Sequence, residues 1–168
     1  MADSGDMSYV MHEAPAWRPA QGYIAMIDLA PFGFPQMNEQ MWLKQLDEVR
    51  LEVCCIPFRA YGIALGDQVE LDIERYVARI VHGSGRRVLR IFFKNPRPSK
   101  NGIDARQDLI RQINSASLLS EWSGDRHVAV DVPEGASMQG VYDSVAPEID
   151  AGSAVWEWAD SEPFRYVR

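Results

Sequence analysis

Short runs of alternating apolar and polar residues, two helical periods set between strands, and closely spaced glycine and proline turns predict an α+β fold. The expected architecture is a small β-rich, barrel-like N-terminal lobe followed by a ferredoxin-like βαββαβ lobe. The 168 residues, 46% of them apolar, suit one domain of average size or two small lobes sharing a core. A chain of this length needs neither metal nor disulfides to fold, and its composition excludes collagen-like, coiled-coil and generally disordered classes.

Residues 1–21 are polar and broken by prolines, and are expected as a partly ordered arm. Residues 22–85 form the β lobe. Within it, Tyr23 to Leu29 reads as a strand, residues 30–38 as a loop, and Met41 to Leu46 as a strand or one helical turn. Val49 to Phe58 is expected as a strand ending at Pro57-Phe58, and Gly62 to Asp67 as a turn. Gln68 to Glu74 alternates, which places Val69, Leu71 and Ile73 on a buried face and Glu70, Asp72 and Glu74 in solvent. Tyr76 to Val81 is the last strand, closed by Gly83-Ser84-Gly85.

Residues 86–160 form the second lobe, and 161–168 a tail. Val88 to Lys94 is its first strand, with Leu89, Ile91 and Phe93 inward. Asp104 to Ala116 has helical spacing, and Asn101 or Asp104 is suited to cap it. Leu118 to Trp122 and Arg126 to Val132 form a hairpin about Gly124-Asp125. Ser137 is expected to cap a second helix, which Pro147 ends or kinks, and Ala154 to Trp158 is the final strand. Such a lobe stacks both helices on one face of its sheet and leaves the other face bare.

The net charge of −7 disfavours nucleic acid and anionic membranes as partners. The charge is uneven: residues 86–111 hold eight bases against two acids, whereas both flanks are acidic. The ordinary reading of the basic stretch is a solvated face, and the sharper one is an anion site. Cys54 and Cys55 are adjacent, which excludes a disulfide framework and favours a reducing compartment. The N-terminus has no signal-peptide pattern and no apolar run is long enough to span a bilayer, so a cytoplasmic protein is expected.

Trp42, Ile56-Pro57-Phe58, Gly62-Ile63, Gly66-Asp67-Gln68-Val69, Ser84-Gly85 and Val130-Asp131-Val132-Pro133 together resemble a bacterial family, domain of unknown function 4265, over about residues 40–158. The resemblance implies a small cytoplasmic bacterial protein. It carries no activity, cofactor or catalytic residue.

His12, His82 and His127 have no metal-ligand spacing between them, and no metal or cofactor is expected. His82 reads as a strand-end residue, with Ser84 too close in sequence to serve as its nucleophile partner. The run His82 to Arg87 precedes a strand, so it is neither a phosphate loop nor a dinucleotide fingerprint. An RNA-recognition reading is weak, because the third strand of the second lobe offers His127, Ala129 and Asp131 in place of aromatic residues.

The candidate binding residues are Arg86, Arg87, Arg90, Phe92, Lys94, Trp156 and Trp158. Arg90, Phe92 and Lys94 should share a sheet face, giving an aromatic surface flanked by cations. If the β lobe covers that face, the cations must pair with acids such as Asp131 or Asp28. Trp156 and Trp158 share one face of the last strand, where core or inter-lobe packing is the first expectation and partner anchoring the second. The function expected is that of a non-catalytic binding protein for a protein partner or a small anionic ligand. A toxin-neutralising, immunity-type protein is one instance, an ACT-like small-ligand sensor is the alternative, and an enzyme comes third. The sequence does not fix the oligomeric state.

Overall fold

The structure, a computed structural model describing residues 5–98 and 104–168, is α+β, with two sheets and two α-helices. The first sheet holds β1 (Ser8–Val10), β2 (Tyr23–Asp28), β3 (Met37–Gln45), β4 (Leu51–Val53), β5 (Gln68–Leu71) and β6 (Val77–His82). β3 organises it. One edge of β3 pairs antiparallel with β2; the other pairs parallel with β1 at Met37–Glu39 and antiparallel with β4 at Leu43–Gln45. Met41 and Leu43 of β3 point into a core shared with Ala25 and Ile27 of β2 and with Val53, Val69 and Val77. The sheet curls until Met26 of β2 bridges Tyr76, just before β6.

The second sheet has the order β10-β7-β9-β8, from β7 (Arg87–Phe93), β8 (Ser120–Ser123), β9 (His127–Val132) and β10 (Ala154–Trp158), and every neighbouring pair is antiparallel. Helices α1 (Ala105–Ser115) and α2 (Gln139–Asp150) cover one face. There Leu89, Ile91 and Phe93 meet Leu109, Ile113, Val141 and Val145, as the alternation and helical spacing require. The Asp104 side chain accepts from the Arg106 N–H at 3.0 Å and caps α1; Asn101 lies outside the described residues.

Several expectations are corrected. Within the segment expected as a partly ordered arm, β1 pairs with β3 and His12 is buried. The strand expected over 49–58 shrinks to Leu51–Val53, because the backbone N–H groups of Ile56 and Phe58 are spent on glutamate side chains instead of a neighbouring strand. β5 stops at Leu71 and leaves Ile73 fully exposed. The Asp72 carboxylate accepts the N–H groups of Glu74 and Tyr76, which turns the chain before Ile73 can face the core. α2 starts at Gln139 without a side-chain cap and runs through Pro147 to Asp150; Pro147 is exposed, so its missing N–H weakens only the solvent side.

The rear face of the second sheet is not bare. Ile56, Phe58, Ala64 and Leu65 pack on Val88 of β7 and Ala129 of β9. The residues expected as a C-terminal tail pack on the first sheet. Phe164 packs on the first core, the Tyr166 hydroxyl donates to Asp72 at 2.7 Å, and Arg168 lies 3.6 Å over the Tyr76 ring. Gly62 makes this crossing possible: at φ +67 a Cβ there would sit 2.0 Å from the Phe164 backbone nitrogen.

Gly62→Ala is therefore expected to lower the melting temperature and to make residues 163–168 susceptible to carboxypeptidase. In a chain truncated after Glu162 the same substitution is expected to cost only the left-handed strain of about 1–2 kcal/mol. Equal cost in both backgrounds would show that the tail does not press on Gly62.

Candidate functional site

Strand alternation divides the basic cluster between the two faces of the second sheet. Arg87 points to the helix side, where it lies 3.9 Å over the Trp158 ring and bonds Asp160 at 2.8 Å. Trp156 and Trp158 share that side. Trp158 packs against the helix-side core, while Trp156 is 46% exposed and tilts against Tyr142. Arg86, Arg90 and Phe92 belong to the rear face. Arg86 pairs with Asp131 and stacks on Trp17. Lys94 is exposed at the strand end. The candidates therefore form two sets, and the rear-face set is largely covered.

Arg90 is only 1% exposed. Its Nη1 donates to the Ala60 carbonyl at 2.8 Å, and its guanidinium lies 4.4 Å over the Tyr61 ring. Glu157 comes within 2.9 Å of Nε but out of line for a hydrogen bond, and accepts instead from the Tyr61 hydroxyl at 2.6 Å. Nη2 has no partner among the described residues. Beside it, Phe92 is 39% exposed and meets His127 edge-on. Burial, with Arg59 and Arg90 nearby, lowers the His127 pKa to about 4, so its ring is neutral at neutral pH. Arg90, Phe92, His127, Val155, Trp156 and Glu157 line a pocket of about 140 Å³ at the uncovered end of the rear face.

What covers the rest of that face is held by a buried three-residue cluster. His12 donates from one ring nitrogen to Glu121 of β8 at 2.8 Å and from the other to Glu39 of β3 at 3.0 Å. Glu39 also accepts the backbone N–H groups of Phe58, Arg59 and Ala60, and Glu121 those of Ala16 and Ile56. Pro57, which has no N–H to give, falls between the two sets. His12 stacks on Phe58 with ring centres 4.5 Å apart. Burial opposes protonation of His12, but its bonds to Glu121 and Glu39 outweigh that and raise its pKa to about 9. Burial likewise opposes ionisation of Glu39, yet His12 and the backbone donors hold its carboxyl below the usual range. Every polar atom of the cluster is engaged inside the protein, so its geometry is that of a clasp between the sheets.

Burial raises both thiols, Cys54 to about 11 and Cys55 well above its ordinary value, so neither is an activated nucleophile. No group of three or more His, Cys, Asp or Glu among the described residues is placed to hold a metal ion. No helix among them is long and apolar enough to cross a membrane.

The family model described as Domain of unknown function (DUF4265) matches residues 39–157. The chain belongs to the DUF4265 family. The DUF4265 segment begins at Glu39 of the clasp, contains Glu121 and the whole Ile56-Pro57-Phe58 run, and ends at Glu157 of the pocket; His12 lies outside it. No curated protein matches the chain. It is similar in structure to a hypothetical protein from Neisseria gonorrhoeae, with a TM-score of 0.64 and 16% identity over 85% of this chain and 97% of that one, which shows the fold alone.

Residue spacing gave no sign of the clasp, because His12, Glu39 and Glu121 are brought together only by the meeting of the two sheets. His127 was within reach of the alternation, since it pairs with Phe92 across β7 and β9.

The clasp has a pH signature. The His12 pKa is raised by folding, so its contribution is complete below pH 6.5 and is lost as pH rises through about 9. The Glu39 pKa is lowered, so its contribution is present above pH 4.5 and is lost as pH falls through the folded value. Urea unfolding between pH 7 and 8, above the unfolded-state titration of His127 and below that of the free thiols, is expected to show stability falling by about 1 kcal/mol per pH unit. His12→Gln should be less stable at pH 6 and nearly flat over that interval. An equally steep decline in His12→Gln would assign the titration to another group.

Proposed function

We propose that this protein is a non-catalytic binding module that docks an acidic protein partner on the uncovered end of the second sheet's rear face. The observation that carries the reading is the pocket over Arg90. A cavity of about 140 Å³ is too small for a metabolite-sized ligand, which needs roughly 300 Å³ or more, yet it suits one side chain or one charged group of a partner. Phe92 and Val155 are exposed at its rim, and Lys94 adds positive charge just past the end of β7. Small apolar pockets with a buried arginine are the kind of place where interface energy concentrates. The engaged state of His12, Glu39 and Glu121 and the raised thiols support a role without catalysis. Toxin neutralisation is one instance of this class.

The finer architecture is read in the same way. The order β10-β7-β9-β8 with both helices on one face supports a ferredoxin-like lobe over 86–160, and the Met26–Tyr76 bridge supports a barrel-like lobe over 22–85. A bacterial, cytoplasmic setting fits two buried free thiols. A small-ligand sensor is the second reading, favoured by one observation: a groove of about 740 Å³ runs beside Trp17, Tyr23, Lys44 and Cys54.

A panel of synthetic acidic peptides, each with an aliphatic or aromatic residue next to a carboxylate, tests the docking surface by fluorescence anisotropy. Wild-type protein is expected to bind members of the panel. Phe92→Ser/Val155→Ser, folded at the wild-type melting temperature, is expected to lose about tenfold or more in affinity, equivalent to about 1.4 kcal/mol. Failure of the wild type to bind any acidic member, or undiminished binding by the variant, contradicts the reading.

A further inference from the structure

We infer that the open edge of the second sheet, at β10, is where a second copy of this chain docks, joining the two sheets antiparallel with Val155 facing its own counterpart across a two-fold axis. β10 is the outermost strand, beside β7. The Lys94 N–H donates to the Ser153 carbonyl at 2.9 Å, so Ser153, Val155 and Glu157 turn their backbone groups toward β7. Ala154, Trp156 and Trp158 turn theirs outward. The N–H and C=O groups of Ala154 and Trp156, and the Trp158 N–H, meet no partner among the described residues. Exposed edges are usually blunted by lysine, proline or a bulge, and β10 has none of these. Its one charge, Glu157, accepts from the Tyr61 hydroxyl on the rear face. Two apolar side chains stand out from opposite faces of this strand, Val155 at 48% and Trp156 at 46% exposure. At the opposite edge, β8 reads Ser-Glu-Trp-Ser and has no exposed residue.

The strand is self-complementary, and this decides the occupant. With the axis at Val155, that residue meets its own copy, Trp156 lies opposite the small Ala154, and Glu157 lies opposite Ser153. Ala154 and Trp156 then exchange backbone hydrogen bonds across the seam in both directions. Residues directly opposite one another share a sheet face, so Phe92, which pairs with Val155 across β7, extends the apolar row on each side of the axis. On the helix side Trp156, tilted against Tyr142, covers the place of the partner's smallest side chain. An axis at Glu157 would set two carboxylates face to face, and an axis at Trp156 would set each Val155 against a Glu157. The net charge of −7 on each copy opposes association, so the dimer is expected to tighten as salt screens that repulsion. The rear face stays open in the pair, so this inference stands independently of the docking reading above.

Sedimentation velocity of the full chain at concentrations up to about 1 mM is expected to show a reversible dimer, half-formed at roughly 100 μM as suits a small interface. Val155→Lys and Val155→Glu change a half-exposed site and should keep the wild-type melting temperature. Each is expected to weaken the dimer about tenfold or more, because the new charge meets itself at the axis. Mixed in equal amounts, the two variants should recover a dimer of about wild-type strength. Amide exchange reads the backbone directly: the Trp156 amide should slow as chain concentration rises, while that of Glu157, already turned toward β7, should not change. A wild type that stays monomeric throughout, a dimer that both charged variants leave intact, a mixture no stronger than its parts, or a dimer whose Trp156 amide exchanges as in the monomer would each overturn the inference. A monomer whose Trp156 amide is protected only by an added peptide would also overturn it, and would give the edge to a foreign strand.

Discussion

The structure depends on one charged contact: a protonated histidine set between two buried glutamates that come from different sheets. Burying two carboxylates is costly, and the cost is offset here by His12 together with five backbone N–H groups. Those backbone donors lie in the segments that fill the space between the sheets. The same interaction that neutralises the glutamates therefore fixes the path of residues 56–60 and of the N-terminal segment. Removing one member would leave the others charged and unpaired, a loss of about 3–5 kcal/mol for buried ion pairs.

The rest of the molecule follows from that path. With residues 56–60 held against β3 and β8, Phe58 and Ile56 are pressed onto the rear face of the second sheet, and Ala60 and Tyr61 are delivered to Arg90. Most of the cationic strand is thereby covered. Arg86 is absorbed by Asp131, and only the end near Phe92 and Val155 stays accessible. The candidate pocket is thus a by-product of incomplete coverage, and its arginine is one of three buried charged residues, with Arg106 and Asp131, that keep a polar atom without a hydrogen-bond partner among the described residues.

Local patterns were readable wherever one strand or helix decides its own burial. The alternation of β7, the period of α1 with its Asp104 cap, and the exact span of β10 all followed from sequence spacing. The same alternation put Arg90 and Phe92 on one face, where they line one pocket. It could not say whether that face was open, because the residues that cover it are about 30 positions away in a loop that looks like a continuing strand. Ile73 misled for a local reason: the pattern of apolar residues continued past the point where Asp72 turned the chain. His12 read as an isolated histidine in a polar arm, since its partners are 27 and 109 residues away. The Ile56-Pro57-Phe58 run was noticed as a motif, and its physical meaning, two N–H groups on either side of a proline given to two glutamates, appears only in three dimensions.

If the clasp makes one cooperative unit of two sheets, amide hydrogen exchange is the direct measurement. In the wild type, the slowest amides of β3, at Met41 and Leu43, and of β9, at Val128 and Val130, should exchange with the same opening free energy. In Glu121→Ala the two groups should separate, with one sheet opening at lower cost than the other. A variant that remains folded and keeps a single shared opening free energy would contradict the account, and would place the coupling between the sheets in apolar packing alone.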